Sequence, residues 1–139
     1  MKKRKNGFTI VEILVVIILI SLIATLIAPR MFKGLSQQKA KLTKAKMATL
    51  ENAINRFYLD CELFPDDAEG LDALLACPSG FEDKWKGPYL KKSDLLDTWG
   101  NPYIYVASGQ VNVGGYDLIS YGADGAEGGE GDNADIYND

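Results

Sequence analysis

Residues 8–28, FTIVEILVVIILISLIATLIA, form an almost unbroken apolar run with one charge, Glu12, near its start. About 20 residues at roughly 1.5 Å each cover the hydrocarbon thickness of a bilayer as a single helix. The alternative, a helix buried in a soluble core, asks a 139-residue chain to hide an unusually long apolar segment. Lys2, Lys3, Arg4 and Lys5 stand directly before the run. Cations on that flank hold an N-terminus on the cytoplasmic side, which places everything after the span outside the cytoplasm. A cleaved secretory signal would have a shorter apolar region with a small-residue site after it, whereas here the glycine, Gly7, comes before the run.

The order basic leader, Gly7, Phe8, Thr9 and then Glu12 inside the apolar run resembles the N-terminus of the type IV pilin-like superfamily. That resemblance implies cleavage between Gly7 and Phe8 by a membrane-embedded prepilin peptidase, with N-methylation of the new Phe8 amine. It divides the chain into a leader, 1–7, a membrane segment, 8–29, and a periplasmic head, 30–139, that includes the second half of the long helix. A carboxylate inside a membrane helix costs on the order of 2.5–3.5 kcal/mol on insertion scales, so Glu12 needs a partner. The Phe8 ammonium lies one helical turn away, and the amine of an incoming neighbour serves equally well. A charge left unsatisfied alone and matched between subunits favours assembly.

Over the whole chain the composition is ordinary, 47% hydrophobic and 24% charged, but the charge is unevenly placed. Up to residue 58 Lys and Arg dominate, and beyond it Asp and Glu do, for an overall −4. An acidic exterior argues against nucleic acid as a partner of the head, because phosphate contacts need cations. Pro29 and Gly34 predict a kink or local loosening, after which the helix resumes. Ala40, Thr43, Met47, Leu50, Ile54 and Phe57 recur at spacings of three and four and lay one apolar stripe along an amphipathic helix, with Lys39, Lys41, Lys44, Lys46 and Arg56 off it. One helix of roughly 75 Å, from Phe8 to about Leu59, is the expectation. The stripe would also suit a coiled-coil dimer, although only about two and a half heptads are present where three to four are usual.

Turn-forming and acidic residues end this helix between Cys61 and Pro65, and a short helical piece is expected over 68–76 with Leu71, Leu74 and Leu75 on one side. A bridge between Cys61 and Cys77 would close a loop of about fifteen residues and be worth on the order of 3 kcal/mol outside the cytoplasm. Two buried free thiols are the alternative. Strand-like residues at 103–106, 110–113 and 116–120, with glycines between, predict two or three short antiparallel strands for the helix to pack on. The fold class is therefore α+β.

Phe64-Pro65 followed by Glu69-Gly70-Leu71, then Gly87-Pro88-Tyr89, Asp97 with Trp99-Gly100-Asn101-Pro102-Tyr103, and Ser120-Tyr121-Gly122-Ala123-Asp124-Gly125 before Gly128-Gly129-Glu130-Gly131-Asp132 occur in that order. The ordered set resembles the major pseudopilins of type II secretion systems over essentially the whole chain. The cysteine pair departs from the family pattern. By composition alone, the acids and glycines of 121–139 suit either a disordered acidic tail or Ca²⁺, which takes six to eight oxygens at about 2.3–2.6 Å. EF-hand spacing is absent, and a single approach to the nonapeptide repeat has its acid one position early. The resemblance implies Ca²⁺, with side-chain ligands at Asp124 and Asp132, the carbonyls of Tyr121 and Ala126, and Asp135 close enough to contribute. Glu127 and Glu130 would face solvent.

With no histidine and neither G-x-S-x-G nor a P-loop, the chain offers no catalytic constellation, and Asp66-Asp67 and Glu82-Asp83 read as solvated loop charges. The resemblance implies a structural subunit of the inner membrane that polymerises into a pseudopilus. Its implied partners are further copies of itself, minor pseudopilins, the inner-membrane assembly platform, the prepilin peptidase and lipid. Two other classes share parts of this pattern. A pilin-like subunit for DNA uptake, adhesion or motility would share residues 1–60 without the acidic glycine loop, and a membrane-anchored enzyme would show turnover.

Overall fold

The computed structural model describes residues 7–138. The basic leader residues Lys2, Lys3, Arg4 and Lys5 and the terminal Asp139 lie outside them. The chain divides into two compact units, Met1–Leu35 and Ser36–Asp139. Helix α1 spans Ile10–Cys61, 52 residues. Pro29 and Gly34 both lie inside the helix, which continues beyond them.

In the first unit α1 is apolar all round, and the large aliphatic side chains of residues 10–27 are exposed. Its hydroxyls are satisfied locally: Ser21 Oγ donates to the Ile17 carbonyl at 2.8 Å and Thr25 Oγ1 to the Ser21 carbonyl at 2.9 Å.

In the second unit the stripe predicted from spacing becomes the core. Thr43, Met47, Leu50, Ala53, Ile54, Phe57 and Cys61 are buried, and they meet Leu71, Leu74, Tyr89, Tyr103 and Leu118 from the rest of the head. Placing Phe57 edge-on to Tyr89 at 6.0 Å and Tyr89 edge-on to Trp85 at 5.7 Å gives the electrostatically favoured aromatic geometry. The Trp85 indole N–H donates to the Ala73 carbonyl at 2.9 Å, which satisfies the polar end of that ring. After Cys61 the chain leaves the helix through Glu62 at φ 63°, a left-handed turn at the usual position for a helix stop, where Lys84 pairs with its carboxylate at 2.8 Å.

The segment expected to be helical over 68–76 is a 3₁₀ turn, Gly70–Leu74, with Leu71, Ala73 and Leu74 inward. Three strands follow: β1 Ile104–Val106, β2 Asp117–Ser120 and β3 Ile136–Tyr137. They form an antiparallel sheet in the order β1-β2-β3, with Tyr105 opposite Leu118 and Ser120 opposite Ile136. The expected strand at 110–113 is instead a loop. Its backbone N–H groups turn toward the buried Asp117, donating from Gln110 (2.7 Å) and Val111 (3.0 Å) to Oδ2 and from Asn112 (2.8 Å) to Oδ1. Those donors cannot then serve a sheet ladder. The third strand comes from 136–137, inside the segment whose composition suited a disordered tail.

The bridge expected between Cys61 and Cys77 is not formed. Both are free thiols, Cys61 buried among the core side chains and Cys77 exposed, with its Sγ donating to the Pro78 carbonyl at 3.5 Å.

Candidate functional site

At the N-terminal end, Gly7 has nothing within 4 Å of where a Cβ would stand, and Phe8 is exposed. Thr9 precedes the first helical residue as the N-cap, and Glu12 is the third residue of the first turn. Glu12 N–H donates to Thr9 Oγ1 at 3.2 Å while Thr9 N–H reaches Glu12 Oε2 at 3.5 Å. This reciprocal pair is a capping box, and it satisfies two of the donors that a helix start leaves without intrahelical partners. The carboxylate is thus parked at the mouth of the apolar segment.

At the other end, β2 and β3 bracket the acidic glycine loop 121–135. Ala123 N–H donates to the Asp132 carbonyl at 2.8 Å, which draws the two arms of the loop together. Gly122 makes that approach possible: at φ 67°, an added Cβ would lie 2.6 Å from the Asp132 carbonyl oxygen. Of the residues expected to bind a cation, Asp124 accepts the Ala126 N–H at 3.2 Å through Oδ1. Asp135 accepts the Gly128 N–H at 2.9 Å through Oδ2, whereas its other oxygen, Oδ1, is buried without a hydrogen-bond partner. Asp132 sits in the 3₁₀ turn Gly131–Asn133 with its side chain exposed. The Tyr137 phenol is raised, first by burial and then by the negative charges of Asp135 and Glu127.

Among the described residues no three acidic or thiol side chains are gathered closely enough to hold a metal by themselves. A cation here would have to be completed by backbone carbonyls, which suits a hard ion with oxygen ligands and not a thiolate- or imidazole-seeking one. A buried carboxylate oxygen with no donor is costly unless a cation meets it, so Asp135 Oδ1 fits that demand.

Sequence reasoning missed the supports of this loop. Asp97 is buried at the turn before β1, where its Oδ1 accepts the N–H groups of Trp99 and Asn101, each at 2.9 Å, and its Oδ2 accepts the Ser120 hydroxyl at 2.6 Å. The Asn101 amide in turn donates to the Gly122 carbonyl at 2.7 Å. Asp, Asn and Gly clustered over 97–101 signal a turn, but nothing local says that its side chains reach β2 and the loop beyond.

An apolar helix start with a capped glutamate and long enough to cross a membrane, together with an amphipathic stripe packed on a small antiparallel sheet, defines an α+β class of protein led by a single long helix. Comparison with known proteins agrees. Residues 2–28 match the prokaryotic N-terminal methylation motif, and residues 30–139 match the family described as type II secretion system (T2SS), protein G. The type II secretion system core protein G of Pseudomonas aeruginosa is 38% identical over 140 aligned positions, covering 99% of this chain and 96% of that one. Its Vibrio cholerae counterpart is 34% identical, covering 98% and 92%. The crystal structure of the major pseudopilin from the type 2 secretion system of enterohaemorrhagic Escherichia coli superposes with a TM-score of 0.59 at 25% identity, covering 73% of this chain and 87% of that one. The chain belongs to the type II secretion system protein G family.

Proposed function

We propose that this chain is a structural subunit which polymerises through its N-terminal helix into the pseudopilus of a type II secretion system and so helps move folded proteins across the outer membrane. The observation that carries this reading is the near end-to-end match to core protein G relatives, 99% of the chain in one case, on a fold whose first helix half exposes apolar side chains all round. Such a surface needs either lipid or like helices around it. The family is one of structural subunits and not of enzymes, and membership fits a protein anchored in the inner membrane.

The proposal extends to particular residues by their resemblance to the family pattern. The prepilin peptidase cuts between Gly7 and Phe8, and the new Phe8 amine is methylated. Glu12 answers the amine of a neighbouring copy. The N-terminus faces the cytoplasm and the head the periplasm, where it meets minor pseudopilins, while the helix meets lipid and the inner-membrane assembly platform. Ca²⁺ binds the 121–135 loop through Asp124, Asp132 and Asp135 together with the Tyr121 and Ala126 carbonyls; the partnerless Asp135 Oδ1 supports this. The ion supplies positive charge where carboxylates crowd.

A strain lacking the chain tests the central reading. Extracellular enzymes should accumulate in the periplasm and return to the medium when the full chain is restored. Undiminished secretion, with loss of adhesion, motility or DNA uptake instead, would rule it out.

A further inference from the structure

The first arc of the acidic loop rests on a side chain from another part of the chain. Asn101 Nδ2 donates to the Gly122 carbonyl at 2.7 Å and reaches the Ala123 carbonyl at 3.5 Å. On the far side of Asp124, Gly125 lies so close that a Cβ there would stand 3.2 Å from Asn101 Cγ. Asn101 therefore touches the residues on both sides of Asp124.

Its own backbone is pinned. Asn101 N–H donates to Asp97 Oδ1 at 2.9 Å, and the Asn101 carbonyl accepts the Asp97 N–H at 2.8 Å. Asp97 is held in turn by Ser120 at the end of β2. The amide is thus a fixed donor, and a carbonyl that accepts from a fixed donor is held in one orientation.

We infer that Asn101 is a positioning residue for the cation loop: it holds the Gly122 carbonyl, lies beside that of Ala123 and against Gly125, and so sets the arc that presents Asp124. This rests on the Ca²⁺ reading above. The carbonyls it contacts are neither of the two assigned to the ion, Tyr121 and Ala126, so Asn101 sorts ligand from non-ligand oxygens within the stretch 121–126. A loop held in its binding shape spends less of the ion's binding free energy on ordering, and supports of this kind typically change metal affinity by about 10- to 100-fold.

The test is a calorimetric Ca²⁺ titration of the full chain in detergent micelles, with melting curves recorded in chelator. Asn101→Ala removes the donor. Asn101→Leu removes it while keeping the branched shape against Gly125. Tyr105→Phe serves as a control, since it loses a hydroxyl bond to the Pro65 carbonyl (2.9 Å), which lies outside the loop. Both Asn101 variants should bind Ca²⁺ about tenfold or more weakly, while the control binds like wild type and melts in chelator about as they do. Wild-type affinity in either folded Asn101 variant overturns the positioning role and leaves the cation reading standing. No Ca²⁺ binding by the wild type overturns both. Failure of both variants to fold would also overturn the inference, because Asn101 would then be a requirement of the head and not of the loop.

Discussion

Thr9 and Glu12 cap one another: the Glu12 N–H donates to Thr9 Oγ1 at 3.2 Å, and the Thr9 N–H approaches Glu12 Oε2 at 3.5 Å. Glu12 closes the helix start as a hydrogen-bond acceptor, and under the proposed function it would have a second, separable duty, offering a negative charge to a neighbouring copy. Glutamine fills the same capping position, so Glu12→Gln keeps the first duty and removes the second. Cleavage and membrane insertion should stay at wild-type levels while pseudopilus yield falls several-fold, as read by immunoblot of sheared filaments. Wild-type yield from the Gln variant would show that the charge is not used in assembly.

Gly7 tests processing. Because open space surrounds the position of its missing Cβ, Gly7→Ala strains nothing in this chain. Any defect would arise in the peptidase's recognition of the junction. Gly7→Ala should leave the leader attached, and substitutions at Phe8 should mainly change methylation, both read from the mass of the intact protein. A wild-type protein that keeps its leader in cells with active peptidase would refute the assignment.

Asp117 gives the head an acid-sensitive clasp. Burial raises its carboxyl, but the N–H groups of Val111, Asn112 and Gln110 outweigh that effect and hold it below the usual carboxylate range. A depressed folded value means that the clasp contributes fully above the unfolded value of about 3.9 and is lost as pH falls through the lower, folded one. Asp117→Asn should cost on the order of 2 kcal/mol at neutral pH, since three N–H groups lose a charged acceptor. The gap between the two urea midpoints should shrink below about pH 4. A gap that is constant down to pH 2.5 would mean that the carboxylate charge is not what holds the 109–115 loop.

Ca²⁺ should stabilise the head through the 121–135 loop. An ion that binds only the folded loop adds about 2.7 kcal/mol at a hundredfold excess over Kd. Chelation should lower the melting temperature of a soluble head lacking residues 1–30. Asp124→Ala, Asp132→Ala and Asp135→Ala should melt like the chelated wild type and ignore added Ca²⁺, whereas Glu130→Ala should behave as wild type. A folded head whose melting curve is indifferent to both chelator and Ca²⁺ would make the segment a solvated acidic loop.

The cysteines can be counted. Burial, followed by the nearby charges of Asp60 and Cys77, raises the Cys61 thiol, and burial followed by Glu82 and Glu69 raises Cys77. Both should therefore react slowly at neutral pH. A disulfide reagent should reach the exposed Cys77 in the folded chain and Cys61 only after unfolding. Two unreactive positions in unfolded, unreduced protein would establish the bridge instead.

Long-range periodicity made α1 legible. Its apolar run and the 43–57 stripe are repeated over many turns, so no single tertiary contact could override them. The short elements were harder to read. Gln110, Val111, Asn112 and Val113 alternate as a strand should, yet the competing acceptor for their N–H groups, Asp117, is a side chain several residues downstream. Strand β3 is two residues long and exists only because Ser120 and Ile119 stand opposite it, a pairing that no local preference announces. The loop's acids were visible as a composition. Its scaffold of Asp97, Asn101 and Ser120 was not, because the bonds that tie the 97–101 turn to Ser120 and Gly122 join residues 23 and 21 positions apart.

The first half of α1 has no preferred face. Its large aliphatic side chains from Ile10 to Ile27 are all 45–87% exposed, and its hydroxyls bond back to the helix's own carbonyls. Acyl chains and the leucine or isoleucine side chains of a neighbouring helix are nearly the same solvent to such a surface. Under the proposed function, transfer from bilayer to filament would change the identity of the neighbours and hardly their polarity, at any rotation about the helix axis. Directionality would then have to come from elsewhere, and between Ile10 and Ile27 Glu12 is the one charged side chain to supply it.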